Sequence, residues 1–352
     1  MIDEEREETV GEQGEEPGYL AAHKTEIHYV TAKFHRRAFA NLLDFLFFAG
    51  MFIGLFLGIR AIVMTLPSYQ ASENELISIR VDSGMYQKNA SGRLYDVVSF
   101  LDAPENGFTG FAKMTESRAA IDKFIVYLND VSGAEAAKKV QDDYDSYRLS
   151  PTLLYESVPY FVKDGEDIVR NPSCSANAET YFHKAYAPFI DEHCQGYLIT
   201  LVPRYLDLIH YESRVLFLGE ILPAYAAAPL LTHLLPMMIF RRGRMTFGKA
   251  LYRIGLVDSS LLVPKMGRTL ARFAIFYFAE VLLSPFTFAI PLLVSASLMA
   301  FSKHKQGFPD YLLRLHEVDV TDDKIYFSRE EIVMSGVGAY RKPVDFKNTY
   351  ED

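Results

Sequence analysis

Three acids and one histidine stand inside runs that are otherwise largely apolar. Asp44 lies in NLLDFLFFAGMFIGLFLGIRAIVMTL, Glu220 and His233 in LFLGEILPAYAAAPLLTHLLPMMIF, and Glu280 in LARFAIFYFAEVLLSPFTFAIPLLVSASLMAF. A charge within lipid costs at least about 2.5 kcal/mol on insertion scales unless it is paired or faces a polar cavity, which makes Asp44 a functional candidate by default. Asp44 follows Arg37 by two helical turns along one face, which lets the arginine reach towards it from the interface. A structural pair that fixes how helices assemble is the competing reading. Glu280 lies deeper and requires either a neutral carboxyl or a polar partner. Glu220, near the end of its run, is expected at the interface. The sequence holds no nucleotide loop, no GxSxG elbow, no HExxH and no EF-hand pattern. It therefore reads as a non-enzyme with no catalytic residue, cofactor or metal, and with no nucleic-acid partner.

The elements carrying these residues are helices long enough to cross a bilayer at roughly 20 residues per crossing. Lys33, His35, Arg36 and Arg37 precede the first run, and no lysine or arginine occurs from Ala61 to Ile79. The positive-inside rule therefore puts the N-terminus in the cytoplasm. The basic flank begins too late for a cleaved signal peptide, and Leu66-Pro67-Ser68-Tyr69 offers no small-residue cleavage site. The second run contains Pro223, Pro229 and Pro236, which a packed span tolerates. It ends in Arg241, Arg242 and Arg244, with Lys249, Arg253, Lys265 and Arg268 following against the single acid Asp258. That side is cytoplasmic, so the section between is extracytoplasmic. The third run, 269–301, reads as a tight helical pair breaking around Ser284-Pro285, because Lys303, His304, Lys305 and Arg314 beyond it also look cytoplasmic. One kinked span is the alternative.

The first seventeen residues set one arginine against eight carboxylates, the signature of a disordered tail. Within 68–211, alternation in ELISIRVDSGMYQ predicts a strand, and Asp164-Gly165 a hairpin between Tyr160-Phe161-Val162 and Asp167-Ile168-Val169. Helical spacing appears in ESRAAIDKFIVYLND, in GAEAAKKVQDDYDSYR and from Ala176 to Ile190. The following LITLVPRYLDLIHYESRVLFL reads as a helix entering the second span, with a kink at Pro203. Thirteen tyrosines there need no ligand, since half-buried tyrosines suit a domain beside a membrane. The only cysteines, Cys174 and Cys194, are expected to form a disulfide closing a loop of about twenty residues, worth roughly 3 kcal/mol. Unlinked buried thiols are the alternative. His183 and His193 lie nearby but match no compact zinc spacing.

Three stretches together resemble the RDD family, small bacterial membrane domains named for one arginine and two aspartates. They are Arg36-Arg37-Ala38-Phe39-Ala40-Asn41-Leu42-Leu43-Asp44, MTFGKALYRIGLVD at 245–258, and KQGFPDY at 305–311. The naming positions carried over are Arg37 (or Arg36), Asp44 and Asp310. The sequence departs from the family at Pro309, where a histidine is common, and at Leu312 to Val318. The resemblance covers 33–66 and 214–319. It implies an α-helical membrane module of three to four membrane-embedded helices, with an inserted α+β extracytoplasmic domain.

The domains are then a disordered cytoplasmic tail (1–32), the first span (33–66), the extracytoplasmic domain (67–212), the remaining helices (213–319) and a cytoplasmic tail (320–352). The family association is with transport, so one expectation is a transport-related or ion-coupled protein of the cell membrane, embedded in the bilayer and assembled as a homo-oligomer. The other is a non-enzymatic sensing, assembly or adaptor protein whose outer domain binds an envelope protein or a small ligand.

Overall fold

A thirty-residue stretch without proline forms one helix, α1 (Phe34–Val63), in a computed structural model that describes residues 29–302 and 306–335. Only 6% of its most apolar window is buried by protein, and Phe39, Leu42, Phe45, Leu46 and Ile53 stand exposed. Such a surface suits lipid rather than water. The chain forms two compact units, Gly58–Leu222 on one hand and Met1–Leu57 with Pro223–Asp352 on the other.

The Gly58–Leu222 unit continues with α2 (Pro67–Asp82), the hairpin β1 (Tyr86–Lys88) and β2 (Leu94–Asp96), then α3 (Val97–Asp102). The expected strand over 75–82 is helical instead. Pro67 pre-sets the first turn, and Tyr69, Leu76 and Ile79 fall on one buried helical face, which overrides the local alternation. α4 (Gly110–Ser132) buries Met114, Ser117, Ile121, Phe124 and Leu128, alternately three and four residues apart. α5 (Ala134–Arg148) buries Ala137, Val140 and Tyr144 on the same rule.

Next come β3 (Leu154–Tyr155) with β4 (Val158–Pro159), and β5 (Phe161–Asp164) with β6 (Asp167–Arg170). The last hairpin turns at Gly165 and Glu166, where Gly165 takes the positive φ of 65° that such a loop needs at its first position. Each pairing is an isolated two-stranded ladder, so the described residues of this unit are mainly helical around hairpins, without the larger sheet an α+β fold suggests. The helix α6 (178–201) closes the core.

The expected disulfide is absent: Cys174 and Cys194 are both free and both buried. Each fills the core as a small apolar group. Cys174 lies against Tyr160 and Tyr181, and Cys194 sits within α6 between Ile190 and Leu198. Burial pushes the Cys194 thiol up to about 12. The native protein should therefore show the same mass with and without reductant, and both thiols should react with iodoacetamide only after denaturation. A mass lower by two hydrogens before reduction would overturn this arrangement.

The chain then enters α7 (Pro203–Ile239), after Val202 takes an extended conformation at the expected kink. α8 (Phe247–Leu251), β7 (Ile254–Val257), α9 (Met266–Phe286), α10 (Ile290–Phe301), α11 (Phe308–Leu313), β8 (His316–Asp319) and α12 (Arg329–Ser335) follow. Among the described residues α1, α7 and α9 are long and apolar enough to cross a membrane, and α10 is a shorter apolar helix of 12 residues. The third apolar run is thus two helices. They part at 287–289, slightly beyond Ser284-Pro285, where Phe288 and Ala289 both adopt left-handed φ. Pro285 has no N–H to give the Val281 carbonyl four residues back, and the Tyr225 hydroxyl donates to that carbonyl at 2.8 Å.

β7 and β8 pair antiparallel, and residues 29–32 add a strand-like edge on β8, with Thr31 bridging Val318. Tyr29, Val257, Val263, Val318 and Ile325 form the small core beneath them. Two expected boundaries therefore move. The N-terminal tail of 1–32 gives up residues 29–32 to this core, and the C-terminal tail of 320–352 gives up 320–335, because Tyr29, Ile325, Tyr326 and Ile332 are buried. The rest of both tails, 1–28 and 336–352, and the basic residues 303–305 lie outside the described residues.

Candidate functional site

The site begins where α8 meets α1. The first N–H groups of any helix lack a partner within it. For α8 the partner comes from a different part of the chain: the Asp44 carboxylate accepts the Gly248 N–H at 2.7 Å and the Thr246 hydroxyl. This approach requires glycine, since a Cβ at Gly248 would stand 2.1 Å from the Ala40 carbonyl oxygen. The next residue, Lys249, is buried and ion-paired with Glu317 of β8.

Glu317 and Asp319 alternate onto one face of β8, and each meets an arginine of α1. Arg37 Nε lies 3.9 Å from Glu317, and Arg36 pairs with Asp319 and donates to the Tyr252 carbonyl at 2.5 Å. The Arg37–Asp44 pairing expected from their spacing does not form. A backbone N–H and a hydroxyl take the aspartate, and the β8 carboxylate draws the arginine.

Deeper in, Arg272 of α9 grips Asp310 of α11 with both arms of its fork, Nε to Oδ1 at 2.5 Å and Nη2 to Oδ2 at 2.9 Å. Burial alone would raise the Asp310 carboxyl, but the guanidinium outweighs it and holds the group below the usual carboxylate range. The start of α11 is tied to α10 by the Phe308 N–H donating to Ser295 Oγ at 3.0 Å. Asp44, Lys249, Arg272, Asp310 and Glu317 all line one cavity of about 440 Å³. Glu280 and His233 line it too, among aromatic and aliphatic walls.

Residues 200–314 match the RDD family. The RDD match takes in Thr246, Gly248, Lys249, Arg272, Glu280 and Asp310, whereas Arg37, Asp44 and Glu317 lie outside it. Together with the three candidate membrane helices, it fits a membrane protein in contact with a lipid bilayer. No curated protein and no solved structure matches the chain.

The RDD-like stretch Thr246-Phe247-Gly248-Lys249 thus has a physical reading at three of its four positions: hydroxyl donor, close backbone approach, buried cation. Sequence reasoning missed Arg272 and Glu317. The first had a visible signal as the one basic residue in the apolar run 269–301. The second had only a weak one, the Glu317/Asp319 alternation.

The two other acids and the histidine of the apolar runs share a local feature. Glu220, His233 and Glu280 each fall in a π-helical turn, at Val215–Ile221, Leu230–Leu234 and Phe276–Leu282. Such widened turns re-aim side chains and gather at functional sites. Glu220, expected at the interface, is enclosed by protein within the Gly58–Leu222 unit and paired with Arg60 at 3.1 Å. Glu280 has one oxygen, Oε1, that is buried without a hydrogen-bond partner.

One further group in the Gly58–Leu222 unit, Asp102, Glu179 and His183, is close enough to hold a cation. The Lys113 ammonium already sits there, at 2.9 Å from Asp102 and 2.6 Å from Glu179, and it holds both carboxyls below their usual range. His193 stacks on Phe189 in the core.

Proposed function

We propose that this is a multi-pass protein of the cell membrane whose RDD module is transport-related and ion-coupled, with α1 completing the module and the Gly58–Leu222 unit inserted into it. Compact packing of residues up to Leu57 with those from Pro223 supports the split, as does the use of Asp44 and Arg37 from α1 beside Lys249 and Arg272. The distribution of basic residues supports cytoplasmic termini and an extracytoplasmic section at 67–212. So few membrane helices per chain call for a homo-oligomer as the working form. The reading assigns no bond-making chemistry and hence no enzyme activity.

The observation that carries it is Glu280, a buried carboxylate with an unpartnered oxygen on the wall of a cavity deep in an apolar helix. Membrane carboxylates with these surroundings exchange protons or cations, because an uncompensated charge there is costly and binding relieves the cost. Purified protein in proteoliposomes under an imposed pH gradient should exchange protons for alkali cations, and Glu280→Gln should slow the exchange at least about tenfold, the loss of one charged partner in a buried site. Unchanged flux from a Glu280→Gln variant with an unchanged melting temperature would sink the reading.

A further inference from the structure

The cavity's hydrogen-bonding inventory is one-sided. Every cationic donor lining it is engaged, Lys249 with Glu317 and Arg272 with Asp310. Asp44 is satisfied by Thr246 and Gly248. What remains is acceptor capacity. Glu280 has the unpartnered Oε1 and no basic side chain within ion-pair distance among the described residues.

His233 adds a second acceptor. Its Nδ1 lies 2.9 Å from Thr232 Oγ1, and the one hydrogen of that hydroxyl is committed to the Ala228 carbonyl at 2.9 Å. Nδ1 must therefore donate to the hydroxyl oxygen, which leaves Nε2 with a bare lone pair. The His233 ring also stacks on Phe276, with ring centroids 4.5 Å apart. Around these acceptors the walls are Phe45, Phe48, Phe273, Tyr225, Leu292 and Met299, a surface for an apolar body and for cation–π contact. By charge, the lining holds four carboxylates, Asp44, Glu280, Asp310 and Glu317, against two cations, Lys249 and Arg272.

We propose that this cavity is a binding site for an amphipathic organic cation bearing at least one N–H, with its charged end at Glu280 and His233 and its apolar body among the aromatic walls. An inorganic cation would use the carboxylate but leave the aromatic walls without a purpose. A neutral apolar molecule would leave Oε1 unpaired. This names a substrate class for the ion-coupled reading above and rests on it in one respect: the same Glu280 serves the coupling proton and the ligand, so that one excludes the other.

The test uses the full chain in nanodiscs of zwitterionic lipid, with no ion gradient. The probe is 9-aminoacridine, cationic at neutral pH, beside acridine, its neutral counterpart. Saturable quenching of 9-aminoacridine but not of acridine is expected. Glu280→Gln should weaken binding at least about tenfold, as expected for removing one partner of a desolvated charge pair. His233→Phe should weaken it while keeping the ring stack. Glu220→Gln, in the other compact unit, should leave it unchanged.

If Glu280→Gln fails to fold, His233→Phe and Phe48→Leu carry the test, and full-strength binding in both overturns the proposal. Equal binding of acridine, or binding indifferent to Glu280→Gln, also overturns it. The two readings separate cleanly. Alkali-cation flux without probe binding removes the organic-cation site and keeps the coupling, and probe binding without flux keeps the site.

Discussion

Gly248→Ala is expected to unfold the unit of Met1–Leu57 with Pro223–Asp352 at temperatures where the native protein is intact. The added Cβ would meet the Ala40 carbonyl oxygen at 2.1 Å and the Asp44 Cγ at 3.0 Å, and both are held by helix backbone or buried contacts. α8 must retreat from α1. Overpacking costs about 1–3 kcal/mol, and stranding the buried Asp44 carboxylate without its two donors adds about 1–3 kcal/mol more. The expected loss is about 2–6 kcal/mol, a large share of the stability of any domain. Gly267→Ala is the matched control, because open space surrounds that position at the start of α9. It should melt within about 1 kcal/mol of the native protein. Thermal melts of both variants in detergent decide the matter. A Gly248→Ala protein that melts like the native one would remove the reason given for glycine in this motif.

The second large effect concerns Arg272 and Asp310. Arg272→Ala leaves the enclosed Asp310 carboxylate without its bidentate partner, and breaking one side of a buried pair costs about 3–5 kcal/mol. Replacing both, as Arg272→Met with Asp310→Leu, removes the stranded charge and should recover most of the loss, because well-packed apolar substitutes for a buried pair are often neutral. The double variant also separates structure from function. If it melts like the native protein and still exchanges ions in proteoliposomes, the pair is a lock between α9 and α11. If it melts normally and the flux is gone, the pair takes part in the passage itself.

Much of the helical framework was legible because its signals are local. In α4 the buried positions from Met114 to Leu128 keep the three-and-four spacing that the sequence displays, and Gly165 marked its hairpin. Residues 75–82 misled for an equally local reason. Four turns of helix begun by Pro67 and anchored by Tyr69, Leu76 and Ile79 outweigh a short alternation. The site was half legible. Asp44, Glu280 and Asp310 announce themselves as acids in or beside apolar sequence. Their partners do not, since Gly248 and Thr246 are more than 200 positions from Asp44 and Glu317 lies further still. Arg37 and Asp44 share a helix face, whereas in the structure Thr246 and Gly248 cap the aspartate and Glu317 lies 3.9 Å from the arginine, all from elements distant in the chain. The cysteines misled because spacing and presumed compartment say nothing of whether two thiols point at each other inside a core.

That long separation between Asp44 and its donors has a consequence in time. α1 leaves the ribosome well before α8 exists, and 202 residues divide Asp44 from Thr246. At about 5–20 residues per second, the interval is roughly 10–40 s. Through that interval the nascent first helix must sit at the bilayer with an aspartate that nothing yet caps, while the whole Gly58–Leu222 unit is being made. The Lys33, Arg36 and Arg37 cluster at its N-terminal end is the opposite charge then nearest to Asp44 in the chain. Asp44 gains its two donors only once Thr246 and Gly248 arrive.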